Sequence, residues 1–368
     1  MPMIDTSALV EGFYDPPYPP VNPAVEQAEE ETIAWLWRIG FLTTPVQEAH
    51  LRSFKFGLYH GICTPSVDLA HLLIGVKWFC WGSLADDQYD NFDWGERDRR
   101  MAAVLRDMRT VLSGGTPAGT PNAVIKGFAD YWPELTAGLS PRRRRRITDH
   151  FLDYVQAIAF QNRYHAAARI PDAATFMMMR RNTIAMIFQA DVLEIVSQLH
   201  IPDPLRDSLL FREMVWCFAD VTAWHNDVYG LEKDIADGQT CNVVRVTAAS
   251  EDCTLQQAVD RVLHRAERRQ LLFLELQRQL PDLAAHLDLS PDAATQAARL
   301  AQDLRAYTYA NLVWIQHTRR YDLDRPRIRG TFDDVLSSRQ RDRTPASGPP
   351  RSPAPSDPGH PLHLPRME

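Results

Sequence analysis

The sequence predicts an all-α fold, a single-domain bundle of long helices, and three observations carry that prediction. From Val25 to about Thr318 apolar residues recur with helical periodicity, and strand-like alternation is scarce. Turn and capping signals divide this stretch into long segments, among them 122–137, 141–164, 205–234, 254–280 and 292–317. The connections between segments are short, as in bundles whose helices pack on one another around one core.

Taken in order, the chain opens with a proline-rich stretch ending at Pro23, predicted to be an extended arm over 1–23. The helical domain is predicted over 24–336. Within it, Thr64-Pro65 precedes the apolar segment VDLAHLLIGVKWFCWGSLA, and the cluster Ser113-Gly114-Gly115-Thr116-Pro117 marks a further turn. Ser140-Pro141, Pro202-Asp203-Pro204 and Ser290-Pro291 punctuate the rest. The arginine run Arg142–Arg146 reads as the solvated start of a helix, the usual fate of a charge run. Residues 337–368 are dominated by Pro, Ser, Ala and charge, a composition that buries too little apolar surface to offset ordering, so a disordered tail is predicted.

Composition narrows the function. A formal net charge of -7 gives no general attraction to nucleic acid or to an anionic membrane. A phosphate-bearing substrate would need cations gathered in one site. The five cysteines are odd in number and lack CxxC spacing, which argues against a zinc site or a disulfide framework. No signal-peptide pattern opens the sequence and no stretch matches the apolar length of a membrane span, so a cytoplasmic protein is predicted.

Two polar clusters stand out. Asp86-Asp87-Gln88-Tyr89-Asp90 ends the apolar segment above, and on a helix Asp86 and Asp90 lie roughly 40° apart on one face, one turn apart. Hard cations want oxygen ligands, and Mg²⁺ is commonly held by one or two carboxylates plus substrate phosphates. In WHNDVYGLEKD, Asn226 and Asp234 lie about 80° apart with Gly230 between them, offering a carbonyl oxygen and a carboxylate. Alone, the first cluster fits a solvated acidic helix end equally well, and the second fits an ordinary amphipathic helix with two polar positions better. A histidine–aspartate metal site at His225 finds no complementary histidines at ligand spacing.

A third set suits an anion. Arg180 and Arg181 in FMMMRRNTIAMIF, Lys233 beside the second cluster, and Arg320-Tyr321 in NLVWIQHTRRYDL provide guanidinium forks, a point charge and a phenol. Acidic clusters for metal, with cations for the anion that the metal also binds, make a coherent diphosphate site.

At this point the sequence resembles the bacterial class I terpene synthases. Asp86 to Asp90 is similar to their DDxxD motif, and Asn226 to Asp234 to their NDxxSxxxE motif. Arg180, 46 residues before Asn226, resembles their pyrophosphate-sensing arginine, and Arg320-Tyr321 after Trp314 their C-terminal RY pair. The four features occur in family order. Two residues depart from the pattern: Gly230 stands where the family has Ser or Thr, and Asp234 where it has Glu. Glycine removes a hydroxyl ligand that a water could replace.

The resemblance implies a helical bundle around a central active-site cavity, in which Asp86 and Asp90 hold two Mg²⁺ ions and Asn226 and Asp234 a third. It implies that Arg180, Lys233, Arg320 and Tyr321 grip the diphosphate of a prenyl substrate, whose carbocation is then cyclised. Aromatic faces would steady the cation; Phe54, Phe56, Trp78, Phe79, Trp81, Phe188 and Trp314 are candidates, with Phe79 seven residues before Asp86 and nearly on its face. Gly75 and Gly82, and Ala219, Thr222 and Ala223, are small residues that open space on that side or allow close helix packing. Farnesyl diphosphate is the first expectation for substrate, and these small residues bring geranylgeranyl diphosphate second. The alternatives are a chain-elongating prenyltransferase and a non-catalytic helical relative. Relatives often form dimers, and the oligomeric state stays open.

Overall fold

Ser140 and Ser290, read as turn signals, are helix caps. The Ser140 Oγ accepts from the Arg143 N–H at 3.3 Å and the Ser290 Oγ from the Ala293 N–H at 3.2 Å. Each is followed by a proline at the first helical position, where a missing N–H costs nothing. The computed structural model describes residues 20–90, 94–118 and 121–321, with the side chains of 87–101 excepted. The predicted arm up to residue 19 and the tail 337–368 lie outside the described residues.

Among the described residues the chain forms helices and no strand. In order they are α1 (Val25–Ile39), α2 (Pro45–Arg52), α3 (Phe56–Cys63), α4 (Leu69–Asp90) and α5 (Trp94–Leu112). Next come α6 (Ala123–Leu135), α7 (Pro141–Ala166), α8 (Ala173–Thr183), α9 (Met186–Val196) and α10 (Asp203–Arg206). The last are α11 (Leu209–Tyr229), α12 (Leu231–Ala236), α13 (Val243–Ser250), α14 (Leu255–His286) and α15 (Pro291–His317).

Helix α11 is buried along most of its length, because its neighbours surround it: α14 runs along it, and α8, α9, α13 and α15 also touch it. Helix α4 packs on α1, α3, α6 and α9, and α15 packs on α3 and α14. Helix α4 is apolar on most sides, so it buries Leu72, Val76, Cys80, Trp81 and Leu84 and still turns other residues inward. Trp81, Phe128 and Phe151 form part of an aromatic core, with the Phe128 and Phe151 rings stacked at 4.6 Å. Each such pair adds about 0.5–1.5 kcal/mol beyond its buried area.

Three features differ from the sequence-based expectation. The segment 205–234 is divided among α10, α11 and α12, although the Gly230 N–H still donates to the Asn226 carbonyl at 2.8 Å, so α12 nearly continues α11. The arginine run is more than a solvated start. Arg143 and Arg146 reach back to Glu194 and Asp191, two buried carboxylates of α9, and Arg206 and His150 also pair with Asp191. Burial alone would raise the Asp191 carboxyl, but Arg206, His150 and Arg146 hold it well below the usual carboxylate range. The third is a break between α8 and α9 at Ala185, whose φ of 61° is a left-handed conformation that costs a residue with a Cβ roughly 1–2 kcal/mol.

Candidate active site

Helices α3, α4, α7, α8, α9, α11 and α15 wall a cavity, and the broken α8–α9 segment contributes Thr183, Ile184, Ala185 and Met186 to its wall. Of the sequence-predicted residues, Phe79, Gly82, Asp86, Arg180, Asn226, Lys233, Asp234, Trp314, Arg320 and Tyr321 all line it. Asp90 lies in the last turn of α4, and its side chain lies outside the described residues.

Arg180 lies in the last turn of α8 and is 9% exposed. Its Nη2 donates to Asp227 Oδ1 at 2.6 Å and to Asn226 Oδ1 at 3.2 Å, and its Nη1 donates to Thr183 Oγ1 at 3.1 Å. Burial works against the charge, yet Asp227 more than offsets it and the guanidinium sits above its ordinary range. Asp227 also accepts from the Val243 N–H at 2.8 Å, so this carboxylate is fully engaged in fixing Arg180. Sequence reasoning missed Asp227; its place beside Asn226 was the available signal. Arg181 points elsewhere, pairing with Asp220 at 2.7 Å and lying over the Trp216 ring, and it takes no part in the site.

Asn226 bridges two of the groups: its Oδ1 accepts from Arg180 and its Nδ2 donates to the Tyr321 Oη at 2.8 Å. Burial pushes the Tyr321 phenol up to about 12, so it keeps its proton. One turn past Gly230, Asp234 accepts from Asn242 Nδ2 at 2.8 Å, and burial raises its carboxyl to about 7. A carboxylate held that high gains from any cation placed beside it. Lys233 pairs with Asp237 at 3.2 Å. Across the mouth, the Arg320 Nη2 is 4.0 Å from Asp86 Oδ2 and 3.5 Å from the Ser83 carbonyl. His225, next to Asn226, is fully buried and off the cavity wall, and burial lowers its imidazole to about 3.

Below the mouth the wall is aromatic. Phe79 lies against Tyr59 (centroids 4.4 Å) and Trp314 (5.2 Å), and Trp314 Nε1 donates to the Phe54 carbonyl at 2.6 Å. Trp78 also lines the cavity, whereas Phe54, Phe56, Trp81 and Phe188 pack behind the lining. Tyr59 and Tyr307, absent from the sequence-based set, line it too, with centroids 4.7 Å apart. The two glycines separate. Gly82 faces the cavity, but a Cβ on Gly75 would stand 2.3 Å from His60 Nδ1, so Gly75 serves close packing and opens no space.

The family model "Terpene synthase family 2, C-terminal metal binding" matches residues 77–270, the stretch that holds both carboxylate clusters and Arg180. This chain belongs to the bacterial class I terpene synthases. Among its relatives, the pristinol synthase of Streptomyces pristinaespiralis is 27% identical over 313 residues, 83% of this chain and 83% of that protein. The (+)-T-muurolol synthase of Roseiflexus castenholzii is 24% identical over 301 residues, 82% and 90% of the two chains. Its fold is that of germacradien-4-ol synthase from Streptomyces citricolor, with a TM-score of 0.73 at 23% identity over 84% of this chain and 99% of that one. Linalool/nerolidol synthase from Streptomyces clavuligerus is equally close, with a TM-score of 0.73 at 24% identity over 83% and 100%. No helix among the described residues of this terpene synthase is long and apolar enough to cross a membrane.

Proposed function

We propose that this terpene synthase ionises farnesyl diphosphate and cyclises the allylic cation, with release of diphosphate. One observation carries the reading: Arg180, Lys233, Arg320 and Tyr321 converge with the oxygen donors of Asp86, Asn226 and Asp234 at the mouth of one aromatic-walled cavity. The donor set suits Mg²⁺, being carboxylate and amide oxygens alone, with a raised Asp234 that a cation would relieve. Asp86 with Asp90 would hold two ions, and Asn226 with Asp234 a third. Bound Mg²⁺ supplies Lewis-acid stabilisation of the charge on the leaving diphosphate.

The chain's own groups do the rest. Arg180 is fixed by Asp227 and Thr183 before substrate arrives, so its charge is in place when the carbon–oxygen bond breaks. Tyr321 accepts from Asn226 and keeps its own proton, which it can donate to a diphosphate oxygen. The faces of Phe79, Trp78 and Trp314 shield the cation from bulk water and attract it through their quadrupoles.

Chain length follows from the floor. Gly75 packs on His60, and Ala219 and Ala223 are not on the wall, so of the small residues on α4 and α11, Gly82, Ser83 and Thr222 face the cavity. That favours fifteen carbons over twenty. The Roseiflexus castenholzii relative is named as cyclising (2E,6E)-farnesyl diphosphate, which agrees. The test is incubation with geranyl, farnesyl and geranylgeranyl diphosphates, with and without Mg²⁺, following diphosphate release and product mass. Chelator-sensitive release, fastest with farnesyl diphosphate and yielding cyclic terpenes, is the expected result. A longer linear diphosphate as product would instead establish chain elongation, and no release from any substrate a non-catalytic relative.

A further inference from the structure

A second cleft opens away from the mouth, and it shares no lining residue with the active-site cavity. It lies between the α3–α4 connection and residues 295–306 of α15, and Ser197, just past α9, completes it. Along α15, Asp303 of this cleft precedes Tyr307 by one turn, about 6 Å, and Cys63 follows Tyr59 by one turn on α3. Tyr59 and Tyr307 both line the active-site cavity, so the two cavities lie end to end along these helices.

Two opposite charges meet this cleft, and neither is matched. The Asp303 Oδ2 is buried and accepts no hydrogen bond. Burial raises this carboxyl to about 6, and the Ser197 hydroxyl and the Arg299 charge offset that only in part. A charged oxygen without a partner is costly to bury, and an uncharged residue of the same shape would avoid the loss. Four residues earlier on the same face of α15, Arg299 stands exposed at the rim. Its Nη2 donates to the neutral Ser66 Oγ at 3.2 Å, and among the described residues it makes no salt bridge.

The pair of charges narrows the ligand. A metal ion finds a single carboxylate here, and among the described residues no three of His, Cys, Asp and Glu gather to hold one. A simple cation would meet Arg299 one turn from Asp303, and a simple anion would meet Asp303. A molecule carrying both charges matches both: an ammonium group offers three donors to the Asp303 Oδ2 and its surroundings, and a carboxylate fits the guanidinium fork of Arg299. Val67, Ala298 and Ala306 line the same cleft and suit a short aliphatic body. We propose that this cleft is a second ligand site, separate from the diphosphate site, which takes a small aliphatic amino acid with its ammonium on Asp303 and its carboxylate on Arg299. The site stands whether or not the synthase ionises farnesyl diphosphate.

The experiment is isothermal titration calorimetry of the full-length protein with glycine, β-alanine and γ-aminobutyrate, which step the distance between the two charges. Butylammonium chloride and sodium butyrate serve as single-charge controls. At least one of the three amino acids should bind saturably, and about tenfold or more tighter than either control, the scale of one charge-assisted contact. Asp303→Asn and Arg299→Gln should each weaken that binding by about tenfold or more. If Asp303→Asn does not fold, Arg299→Gln carries the test, because its side chain stands at the exposed rim. Saturating inorganic diphosphate with Mg²⁺ should leave the amino acid's affinity unchanged. No saturable heat from any of the three amino acids overturns the inference. A control that binds as tightly as they do also overturns it, since the site would then take a lone cation or anion. Undiminished binding by the folded variants overturns it, and so does displacement by diphosphate, which would put the ligand in the active site.

Discussion

Gly75 and Gly82 lie seven residues apart on α4, two turns along one side of the helix, yet alanine should act oppositely at the two sites. At Gly82 the new Cβ would stand 3.7 Å from the Trp78 ring, an ordinary contact. The only large effect is then the helix preference of alanine over glycine, a gain of roughly 0.5–1 kcal/mol. At Gly75 the Cβ would stand 2.3 Å from His60 Nδ1 and 2.7 Å from Cε1, inside any real contact. His60 is itself fully buried and cannot swing away. Overpacking of this kind costs about 1–3 kcal/mol, which outweighs the helix gain. The expected outcome is Gly75→Ala destabilised by about 1–2 kcal/mol net, and Gly82→Ala unchanged or slightly stabilised. Urea unfolding followed by circular dichroism measures both, the slope serving as a check that the denatured state is unchanged. A Gly75→Ala protein as stable as wild type would refute the close approach to His60, and with it the argument that Gly75 adds nothing to cavity depth.

Further substitutions test the site and its frame. Asp86→Ala should remove turnover almost completely with little change in melting temperature, because this carboxylate is 43% exposed and its ion pair with Arg320 is long, at 4.0 Å. Gly230→Ser should fold and turn over, since φ is -77° and the added Cβ meets only the Asn226 carbonyl at 3.0 Å as a tight contact; an unfolded or inactive variant would show that this contact cannot relax. Asp191→Asn should cost about 3–5 kcal/mol at neutral pH by stranding buried guanidinium. The carboxyl of Asp191 is depressed in the fold, so its contribution is present above about pH 4, the ordinary aspartate value, and is lost as pH falls toward the folded value. The variant should therefore show a flatter acid limb of stability than wild type, and an equally steep limb would argue against this network as its source.

Much of the fold is legible because its signals are local. Serine followed by proline starts a helix at both Ser140 and Ser290, and Phe79 and Asp86 share a helical face by spacing alone. The family motifs are legible for the same reason, as short patterns around Asp86, Asn226 and Arg320. What escapes is set by distant neighbours. The α8–α9 break falls in FMMMRRNTIAMIF, which has no glycine or proline, and Ala185 is held left-handed by the elements around it. Whether a small residue opens a cavity or seats another helix depends on the ring opposite, and Gly75 and Gly82 look alike until His60 and Trp78 are in place. Arg180 and Arg181 are likewise adjacent and identical in chemistry; only the positions of Asp227 and Asp220 send one to the site and the other to the outside. The arginine run reads as solvent-facing because its partners, Asp191 and Glu194, are more than 40 residues away in sequence.

A crystal structure with Mn²⁺ and inorganic diphosphate would show whether the mouth of this cavity binds diphosphate together with divalent metal. Anomalous scattering locates the ions without reference to activity. The expected result is diphosphate held by Arg180, Lys233, Arg320 and Tyr321, with three ions at the oxygens of Asp86, Asp90, Asn226 and Asp234. Diphosphate bound elsewhere, or ions that avoid Asp86 and Asn226, would contradict it.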